Sequence, residues 1–337
     1  MARSFRPHLP RLGGALGLIG VVALSGCGSS GPRSGGSVGS LQGAGATFPA
    51  PLYQRWFQEL AGQGGARVNY QSVGSGAGVR QFESGTVDFA ASDKPLSAEE
   101  AAAIPRGAVQ IPMTAGAIAV AYNHPGCSLK LTQPQLVQIF EGKLRNFKDL
   151  GCSDLAIKVV FRSDGSGTTY NFTKSLAAFS PSWSSGPGVA KSVNWPTGIG
   201  AKGNEGVAAS LQQVKGAIGY VESAYVRGNL QAAALQNAGG TYAKPTVAEA
   251  AQALASVDLG PELTGSNPNP QAGYPITTFT WVLLYRSGNG AKLPALQNTF
   301  GYTLSDAAQA GAPALGYISL PAAVLQKARA ALAQVGR

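Results

Sequence analysis

The ten residues from Phe161 to Tyr170, Phe-Arg-Ser-Asp-Gly-Ser-Gly-Thr-Thr-Tyr, constrain the fold of this chain more than any other stretch. They follow an apolar run, 157–161, that predicts a strand, and they precede residues 171–179, where apolar side chains recur at helical spacing. The pattern therefore predicts a strand, a tight turn and a helix start. Glycine permits such a turn, and the Ser and Thr hydroxyls lie beside the free N–H groups of the first helical turn, an arrangement that holds an anion.

Two charged residues of this turn strengthen the anion interpretation. Arg162 supplies a planar, permanently charged guanidinium that suits an oxyanion, and Asp164 can hold that group in place or offset its charge. A single turn of this kind is equally compatible with a helix cap that binds nothing. Its recurrence elsewhere in the chain is therefore the more informative observation.

Two more turns rich in Gly and hydroxyl side chains precede predicted helices. Residues 43–51 (Gly-Ala-Gly-Ala-Thr-Phe-Pro-Ala-Pro) lead into apolar residues at helical spacing over 52–60. Residues 74–78 (Gly-Ser-Gly-Ala-Gly) lead into another helical pattern, and a further segment, 88–95, is an apolar strand that ends in an acid, Asp93. The chain thus places three hydroxyl-bearing turns at three helix starts.

Strands and helices alternate along the chain, which predicts an α/β fold with mainly parallel pairing. Two long β-rich runs, 109–122 and 275–285, suggest a chain that leaves a first lobe, builds a second and returns, with a ligand in the cleft between them. With 337 residues, 44% of them hydrophobic, the chain can fill two cores. The predicted boundaries are 41–116 and 281–337 for lobe I and 117–280 for lobe II.

Local signals predict further elements. Ser97 with Glu100 has the spacing of a capping box, and the same spacing recurs at Thr132. The Gly-rich loop 198–206 is interpreted as a structural turn ahead of a helix, and residues 315–318 are interpreted as a strand.

The N-terminal residues predict an export signal and a lipid anchor. Three arginines among the first eleven residues precede an apolar segment, 12–24, and the tetrapeptide Leu-Ser-Gly-Cys ending at Cys27 resembles a bacterial lipoprotein processing site. Residues 1–26 are therefore predicted to be a signal peptide, Cys27 to be lipidated, and the Gly/Ser-rich segment 27–40 to be a flexible tether. An ordinary secretory signal with an incidental cysteine is the alternative. Either way the folded body is expected outside the cytoplasm, and with the anchor it stays on the outer face of the membrane.

Net charge limits the partners. Removal of residues 1–26 takes away three arginines and no acid, which lowers the formal charge from +10 to about +7. A positive protein attracts small anions, anionic lipid or nucleic acid. We see no cluster of basic and aromatic residues of the kind that binds nucleic acid, and an exported protein would not meet it, so no nucleic-acid partner is expected.

Cysteine and histidine usage argues against a metal centre and a catalytic triad. Beyond Cys27 the chain has Cys127 and Cys152, which form a disulfide in an oxidising compartment or else are two unrelated buried thiols. Once His8 is removed with the signal peptide, His124 is the only histidine, and it stands beside a proline in a predicted loop. We therefore expect no metal, no cofactor and no enzymatic activity.

Taken together, these motifs resemble the phosphate-binding proteins of bacterial phosphate-specific ABC transporters, and the likeness extends over nearly all of the chain from Leu41 onward. The resemblance implies a type II periplasmic-binding-protein fold, with two α/β lobes of mixed sheet joined by two crossover strands. It further implies high-affinity binding of inorganic phosphate and its delivery to permease subunits and their ATPase for import. The protein is expected to act as a monomer.

The resemblance also implies a ligand set. In that family, phosphate is held by a Thr hydroxyl and a Phe backbone N–H in the first motif, a Ser in the second, an Asp after the strand, and an Arg, Ser, Gly and Thr in the fourth. Carried over to this sequence, these residues are Thr47, Phe48, Ser75, Asp93, Arg162, Ser166, Gly167 and Thr168, with Asp164 supporting Arg162.

Asp93 is the unexpected member of this set, because a carboxylate repels an anion unless the anion still carries a proton to donate. Phosphate keeps a proton near neutral pH and sulfate does not. A buried acceptor left without its hydrogen is costly, so we expect Asp93 to reject sulfate. The alternatives are a phosphate-ester hydrolase with Ser166 as nucleophile, which lacks a base within the motif, or a binder of another oxyanion such as sulfate.

Overall fold

The computed structural model describes residues 39–336. The predicted signal peptide (1–26), Cys27 and all of the predicted tether except its last two residues lie outside the described residues, as does Arg337. Within residues 39–336, no helix is both long and apolar enough to cross a membrane.

Strands and helices alternate through the described part of the chain, as the sequence predicts. The strands are β1 Ser40–Gly45, β2 Arg67–Ser72, β3 Phe89–Ser92, β4 Ala108–Tyr122, β5 Lys130–Leu131, β6 Lys158–Arg162, β7 Ile199–Ala201, β8 Ala217–Glu222, β9 Gln231–Ala232, β10 Ala234–Gln236, β11 Tyr242–Ala243 and β12 Thr277–Tyr285. The α-helices are α1 Ala50–Gly62, α2 Ser75–Glu83, α3 Ala98–Ala102, α4 Gln133–Phe140, α5 Gly167–Phe179, α6 Pro181–Ser185, α7 Gly203–Gln213, α8 Val247–Leu254, α9 Leu293–Thr303, α10 Asp306–Gly311 and α11 Ala322–Leu332.

One large mixed sheet has the strand order β2-β1-β3-β12-β4-β8-β6-β7, and a small sheet contains β11, β10 and β5. Pairing is parallel where β1 lies between β2 and β3 and where β6 lies between β7 and β8. It is antiparallel where β12 meets β3 and β4 and where β4 meets β8. The α/β prediction is confirmed, and pairing is more evenly mixed than the expected mainly parallel arrangement because the two long strands run against their neighbours.

Strand β4 changes partners along its length. It pairs with β12 up to Ala117 and with β8 from Ile118 onward. The β4–β12 ladder is irregular at one point, since Thr280 lies opposite Thr114 while Trp281 lies opposite Pro112. Pro112 has no N–H to donate, and a bulge is where a sheet accommodates such a residue.

The core lies on both faces of the sheet. Helix α2 packs Val79 and Phe82 against Ala90 and Leu283, and α7 packs Val207 and Leu211 against the second half of the sheet. Strand β4 is buried at almost every position, as expected of a strand covered on both faces. Both capping boxes are present: Ser97 with Glu100, and Thr132 with Gln135.

The predicted strand at residues 315–318 is wrong. A 3₁₀ helix occupies Ala312–Leu315, Gly316 follows with φ of 90°, and only Ile318 makes a β-bridge, to Ala115. A left-handed glycine directly after the turn breaks the extended run that the apolar pattern suggests.

Cys127 and Cys152 are joined as a disulfide, with their Cα atoms 5.4 Å apart and a separation of 25 in sequence. By chain-entropy arguments, closing a loop of this length contributes about 3.5 kcal/mol to the free energy of unfolding.

Candidate functional site

Four helices begin at the carboxyl ends of strands in the large sheet. The helices α1, α2, α5 and α7 follow β1, β2, β6 and β7, respectively. Hydrogen bonds between their starts show that they meet: Asn204 N donates to Thr47 Oγ1 at 3.1 Å, and Gly167 N donates to Ser75 Oγ at 3.2 Å. Helix N-termini carry partial positive charge and free N–H groups, so this region favours an anion.

Arg162 is the fixed positive charge of the cluster. Its side chain is 1% exposed, and its Nε and Nη2 atoms donate to the two carboxylate oxygens of Asp164 at 2.8 and 2.5 Å. Burial would raise the pKa of Asp164, but the hydrogen bonds and charge of Arg162 hold it below its ordinary value. Asp164 is therefore ionised at neutral pH, and both of its carboxylate oxygens hold the Arg162 guanidinium in place.

Thr47 and Thr168 are brought together by a residue that the sequence analysis did not single out. Asn204 Nδ2 lies 2.7 Å from Thr47 Oγ1 and 3.3 Å from Thr168 Oγ1, and Arg162 Nη1 lies 3.4 Å from the same Thr168 oxygen. All four side chains are buried. Since the Thr oxygens accept from Asn204 and Arg162, their hydroxyl hydrogens remain to be donated elsewhere.

Ser75, Asp93 and Gly167 form the other side of the cluster. The Ser75 Oγ atom accepts from Gly167 N at 3.2 Å and from Asp93 N at 3.3 Å, and lies 3.5 Å from Asp93 Oδ2. A Cβ atom added at Gly167 would lie 2.6 Å from Asp93 Cβ and 2.7 Å from Ser75 Oγ. Glycine is required at this position because no larger residue fits between these two side chains.

Asp93 is a buried carboxyl, 1% exposed, among hydrogen-bond donors. Burial raises its pKa to about 7, while the hydroxyl of Thr280, the charge of Arg162 and the hydroxyls of Ser75 and Thr168 act in the opposite direction. An acid with a pKa in this range can accept or donate a proton near neutral pH.

Phe48 and Ser166 are placed beside these residues by the chain itself. The Phe48 ring packs edge-on against Tyr317, whose hydroxyl donates to the Phe48 carbonyl at 2.8 Å. Ser166 Oγ accepts from Thr169 N at 3.0 Å and caps α5, which uses a lone pair and leaves the hydroxyl hydrogen to donate. The structure thus gathers all eight predicted ligand residues into one buried region.

Sequence reasoning missed several residues that hold this region together. The loop 198–206 is more than a structural turn, because Gly203 N donates to Asp164 and Asn204 bridges the two threonines. The Tyr220 hydroxyl accepts from Arg162 N at 3.1 Å and bonds to Thr169. The Gly-rich composition ahead of a helix was a usable signal for the loop; a tyrosine in the middle of β8 gave none.

Lysines border the cluster. Lys94 follows Asp93 directly, and the Lys191 carbonyl accepts from Ser166 N at 2.8 Å. Glu100 pairs with both ammonium groups, at 2.7 Å from Lys94 and 3.9 Å from Lys191. The two lysines and Glu100 together carry one net positive charge, which attracts an anion to this side of the cluster. Within residues 39–336, no group of three or more His, Cys, Asp or Glu residues could hold a metal ion.

A second buried carboxyl lies where β8 ends. Glu222 is fully buried, and its oxygens accept from Ser223 Oγ at 2.8 Å and Ala224 N at 2.9 Å. Burial raises its pKa to about 8, although these hydrogen bonds act in the opposite direction. The folded protein therefore binds this proton more tightly than the unfolded chain does.

Replacement of Glu222 by glutamine is expected to flatten the dependence of stability on pH. Because the folded pKa lies above the unfolded value of 4.5, the wild-type free energy of unfolding falls as pH rises from about 4.5 to 8. At pH 8.5 we expect Glu222→Gln to be more stable than wild type by about 2 kcal/mol, after weaker hydrogen bonds offset part of the gain. Urea unfolding at pH 5.5, 7 and 8.5 measures this, with exposed Glu262→Gln as control; parallel pH profiles for wild type and Glu222→Gln would contradict it.

Comparison with known proteins identifies the family. A profile described as a PBP superfamily domain matches residues 30–307. The phosphate-binding protein PstS of Xylella fastidiosa (strain 9a5c) is 38% identical over 300 residues, which cover 83% of this chain and 81% of that protein. The chain belongs to the PstS family of the PBP superfamily. The PstS of Pasteurella multocida (strain Pm70) is also 38% identical, over 86% of this chain and 89% of its own.

Solved structures share the fold of this PstS-family chain. A high-affinity periplasmic phosphate-binding protein, PfluDING, determined with bound phosphate, superimposes with a TM-score of 0.74 at 24% identity and covers 86% of this chain and 93% of its own. A phosphate-binding protein from Stenotrophomonas maltophilia gives a TM-score of 0.70 at 24% identity with the same coverage. The predicted type II periplasmic-binding fold is confirmed.

Proposed function

We propose that this chain binds inorganic phosphate and delivers it to an ABC permease and its ATPase for import. The ligands are the eight residues Thr47, Phe48, Ser75, Asp93, Arg162, Ser166, Gly167 and Thr168. The observation on which the proposal depends is one buried carboxyl, Asp93, within a ring of hydroxyls, helix N-termini and one guanidinium. Such a site offers many donors to an oxyanion and one acceptor to the hydrogen that phosphate retains.

The names of the relatives support the same ligand, since the PstS proteins of Xylella and Pasteurella are called phosphate-binding proteins. Two structural neighbours were determined with phosphate bound. We assign the chain a binding role without catalysis. This is supported by the Ser166 hydroxyl, whose hydrogen bond among the described residues comes from the Thr169 N–H rather than from a general base.

Two lobes, 41–116 with 281–337 and 117–280, are proposed to close over the ion. The change of partner on β4 at Ala117 and Ile118 supports this boundary. Contacts across it include Gly76 N to Gly165 O at 2.7 Å and Ser72 Oγ to Glu205 at 2.8 Å. Closure would create a surface that depends on ligand and that a permease can recognise.

Export and anchoring complete the proposal. The basic residues, the apolar segment 12–24 and the Leu-Ser-Gly-Cys motif support removal of residues 1–26 and lipidation of Cys27. The lipid would then hold the protein, which we propose to be a monomer, on the extracytoplasmic face of the membrane.

Calorimetric titration of the delipidated protein with phosphate, arsenate and sulfate tests the function. Heat of binding with phosphate and no heat with sulfate at pH 8 is the expected result. The absence of both heat and thermal protection with phosphate would refute the proposal. Turnover of a chromogenic phosphate ester that is lost in Ser166→Ala would instead favour a hydrolase.

A further inference from the structure

Asp93 accepts a hydrogen bond from a residue of the long strand β12, and this residue lies outside the predicted ligand motifs. Strand β12 runs antiparallel to β3 with Trp281 opposite Ser92, so Thr280 comes next to Asp93 where the pairing ends. The Thr280 Oγ1 atom lies 2.8 Å from Asp93 Oδ1, and Thr280 is fully buried. A β-branched side chain has few rotamers, so the strand fixes the position of this hydroxyl.

The bulge in the β4–β12 ladder lies at the same residue. Thr280 pairs with Thr114, but the next residue of β12 pairs with Pro112, which leaves Met113 as an extra residue on β4. Bulges change the direction in which nearby side chains point and are common beside binding sites. The position of Thr280 is therefore fixed by the bulge on the β4 side of the strand and by the end of β3 on the other side.

The two oxygens of Asp93 have different surroundings. Oδ1 accepts from Thr280, whereas Oδ2 faces Ser75 Oγ at 3.5 Å and the backbone of Gly167, where an added Cβ would lie 2.7 Å from Oδ2. Oδ2 is thus the oxygen on the side of the donor cluster. A hydroxyl that donates to Oδ1 favours a proton-free Oδ1 and stabilises the ionised carboxylate.

We propose that Thr280 is a specificity-determining positioning residue: its hydrogen bond keeps Asp93 an ionised acceptor and turns Oδ2 toward the hydrogen of the bound anion. This inference rests on the proposed function. Thr280 itself does not touch the ligand and acts through Asp93.

The surroundings of Asp93 give the direction of the effect. Burial raises the pKa of Asp93 to about 7, and the Thr280 hydroxyl is the first of the groups that lower it, ahead of the charge of Arg162. The other titratable groups that sense Asp93 are the phenols of Tyr53 from α1, Tyr70 from β2 and Tyr317, all neutral at these pH values. Loss of the Thr280 hydroxyl should therefore raise the pKa of Asp93 further.

A protonated Asp93 has the opposite selectivity. It presents a donor to the anion, which suits sulfate, whose four oxygens all accept, and it no longer accepts the hydrogen of phosphate. We expect sulfate to compete poorly in wild type at pH 8 and better as pH falls through about 7. In Thr280→Val this transition should move up by about one pH unit, so that sulfate competes about fivefold more strongly at pH 8 and about tenfold more strongly at pH 9.

Phosphate titrations with and without sulfate at pH 6, 7, 8 and 9 test this on four proteins. Thr280→Ser keeps the hydroxyl and should retain the wild-type profile. Thr299→Val is the matched control, because Thr299 is also fully buried and its hydroxyl has no hydrogen-bond partner among the described residues. Thr280→Ala replaces the valine variant should valine prevent folding, which thermal unfolding will show.

The outcomes separate the two proposals. A shifted sulfate profile in Thr280→Val or Thr280→Ala, with unshifted profiles in Thr280→Ser and Thr299→Val, supports the role of the hydroxyl. Coincident sulfate profiles for the wild type, Thr280→Val and Thr280→Ala would overturn the role of the hydroxyl. The proposal that the protein binds phosphate would then still stand. A wild-type protein that binds no phosphate at any pH refutes the proposed function itself.

Discussion

Substitution of Arg162 by methionine is expected to weaken phosphate binding by about 10² to 10³-fold. Loss of one member of a buried, hydrogen-bonded charge pair costs about 2 to 5 kcal/mol in binding, and each 1.4 kcal/mol is a factor of ten. The guanidinium brings a permanent positive charge into the cluster, with Nη1 3.4 Å from Thr168 Oγ1. Calorimetry at pH 8 measures the change.

The same substitution should also lower stability, because it leaves Asp164 partly buried with the Gly203 N–H but without its cation. The double variant Arg162→Met/Asp164→Asn removes the unpaired charge, so it should recover most of the stability in urea and none of the affinity. Arg329→Met is the matched control, since Arg329 pairs with Asp306 at 2.7 Å with its side chain 45% exposed. Recovery of phosphate binding in the double variant would show that Arg162 is no ligand.

Asp93→Asn should reduce the discrimination against sulfate, measured as the ratio of the two affinities, by about a hundredfold or more. Sites whose buried polar groups are left unpaired by the wrong ligand reject it by up to about 10⁴ to 10⁵-fold, and asparagine supplies a donor that satisfies sulfate. Competition titrations at pH 8 measure the ratio. The control is Asp88→Asn, which removes a carboxylate that pairs with Lys292 and accepts from Gln42 N away from the cluster. Equal sulfate competition in wild type and Asp93→Asn would remove the role assigned to Asp93.

Stability provides a second measurement on the same variant. The folded pKa of Asp93 is about 7 and its ordinary value is 3.8, so the carboxyl contributes progressively less to the wild-type free energy of unfolding as pH rises from about 4 to 7. Without phosphate, Asp93→Asn should therefore be the more stable protein above pH 7. Such an exchange of stability for function is common at binding sites.

The sequence allowed the ligand turns to be predicted because their chemistry is local. Glycines, hydroxyls and a helix start within ten residues are sufficient to predict the turn at Arg162, and the spacing of Ser97 and Glu100 is sufficient to predict a capping box. The overall α/β class follows from the same local signals. Residues that act across the fold were not predictable in this way.

Asn204, Tyr220 and Thr280 illustrate why residues that act across the fold could not be predicted. Each contacts the cluster through partners at least 36 positions away in sequence, and the separation between Thr280 and Asp93 is 187. A threonine in an apolar strand looks like any β-former until strand register places it opposite Asp93. The false strand at 315–318 has the converse cause, since apolar periodicity does not show that Gly316 takes a left-handed conformation.

The switch of partners on β4 has a mechanical consequence. Strand β4 is continuous across Ala117 and Ile118 and is held by β12 before this point and by β8 after it, so sliding there would break both ladders. In the proposed closure of the lobes this junction would therefore serve as a pivot, and a small change of angle there would displace the rim of the cleft much further. Residues that stiffen the pivot without approaching the ion should therefore alter how fast the anion enters and leaves.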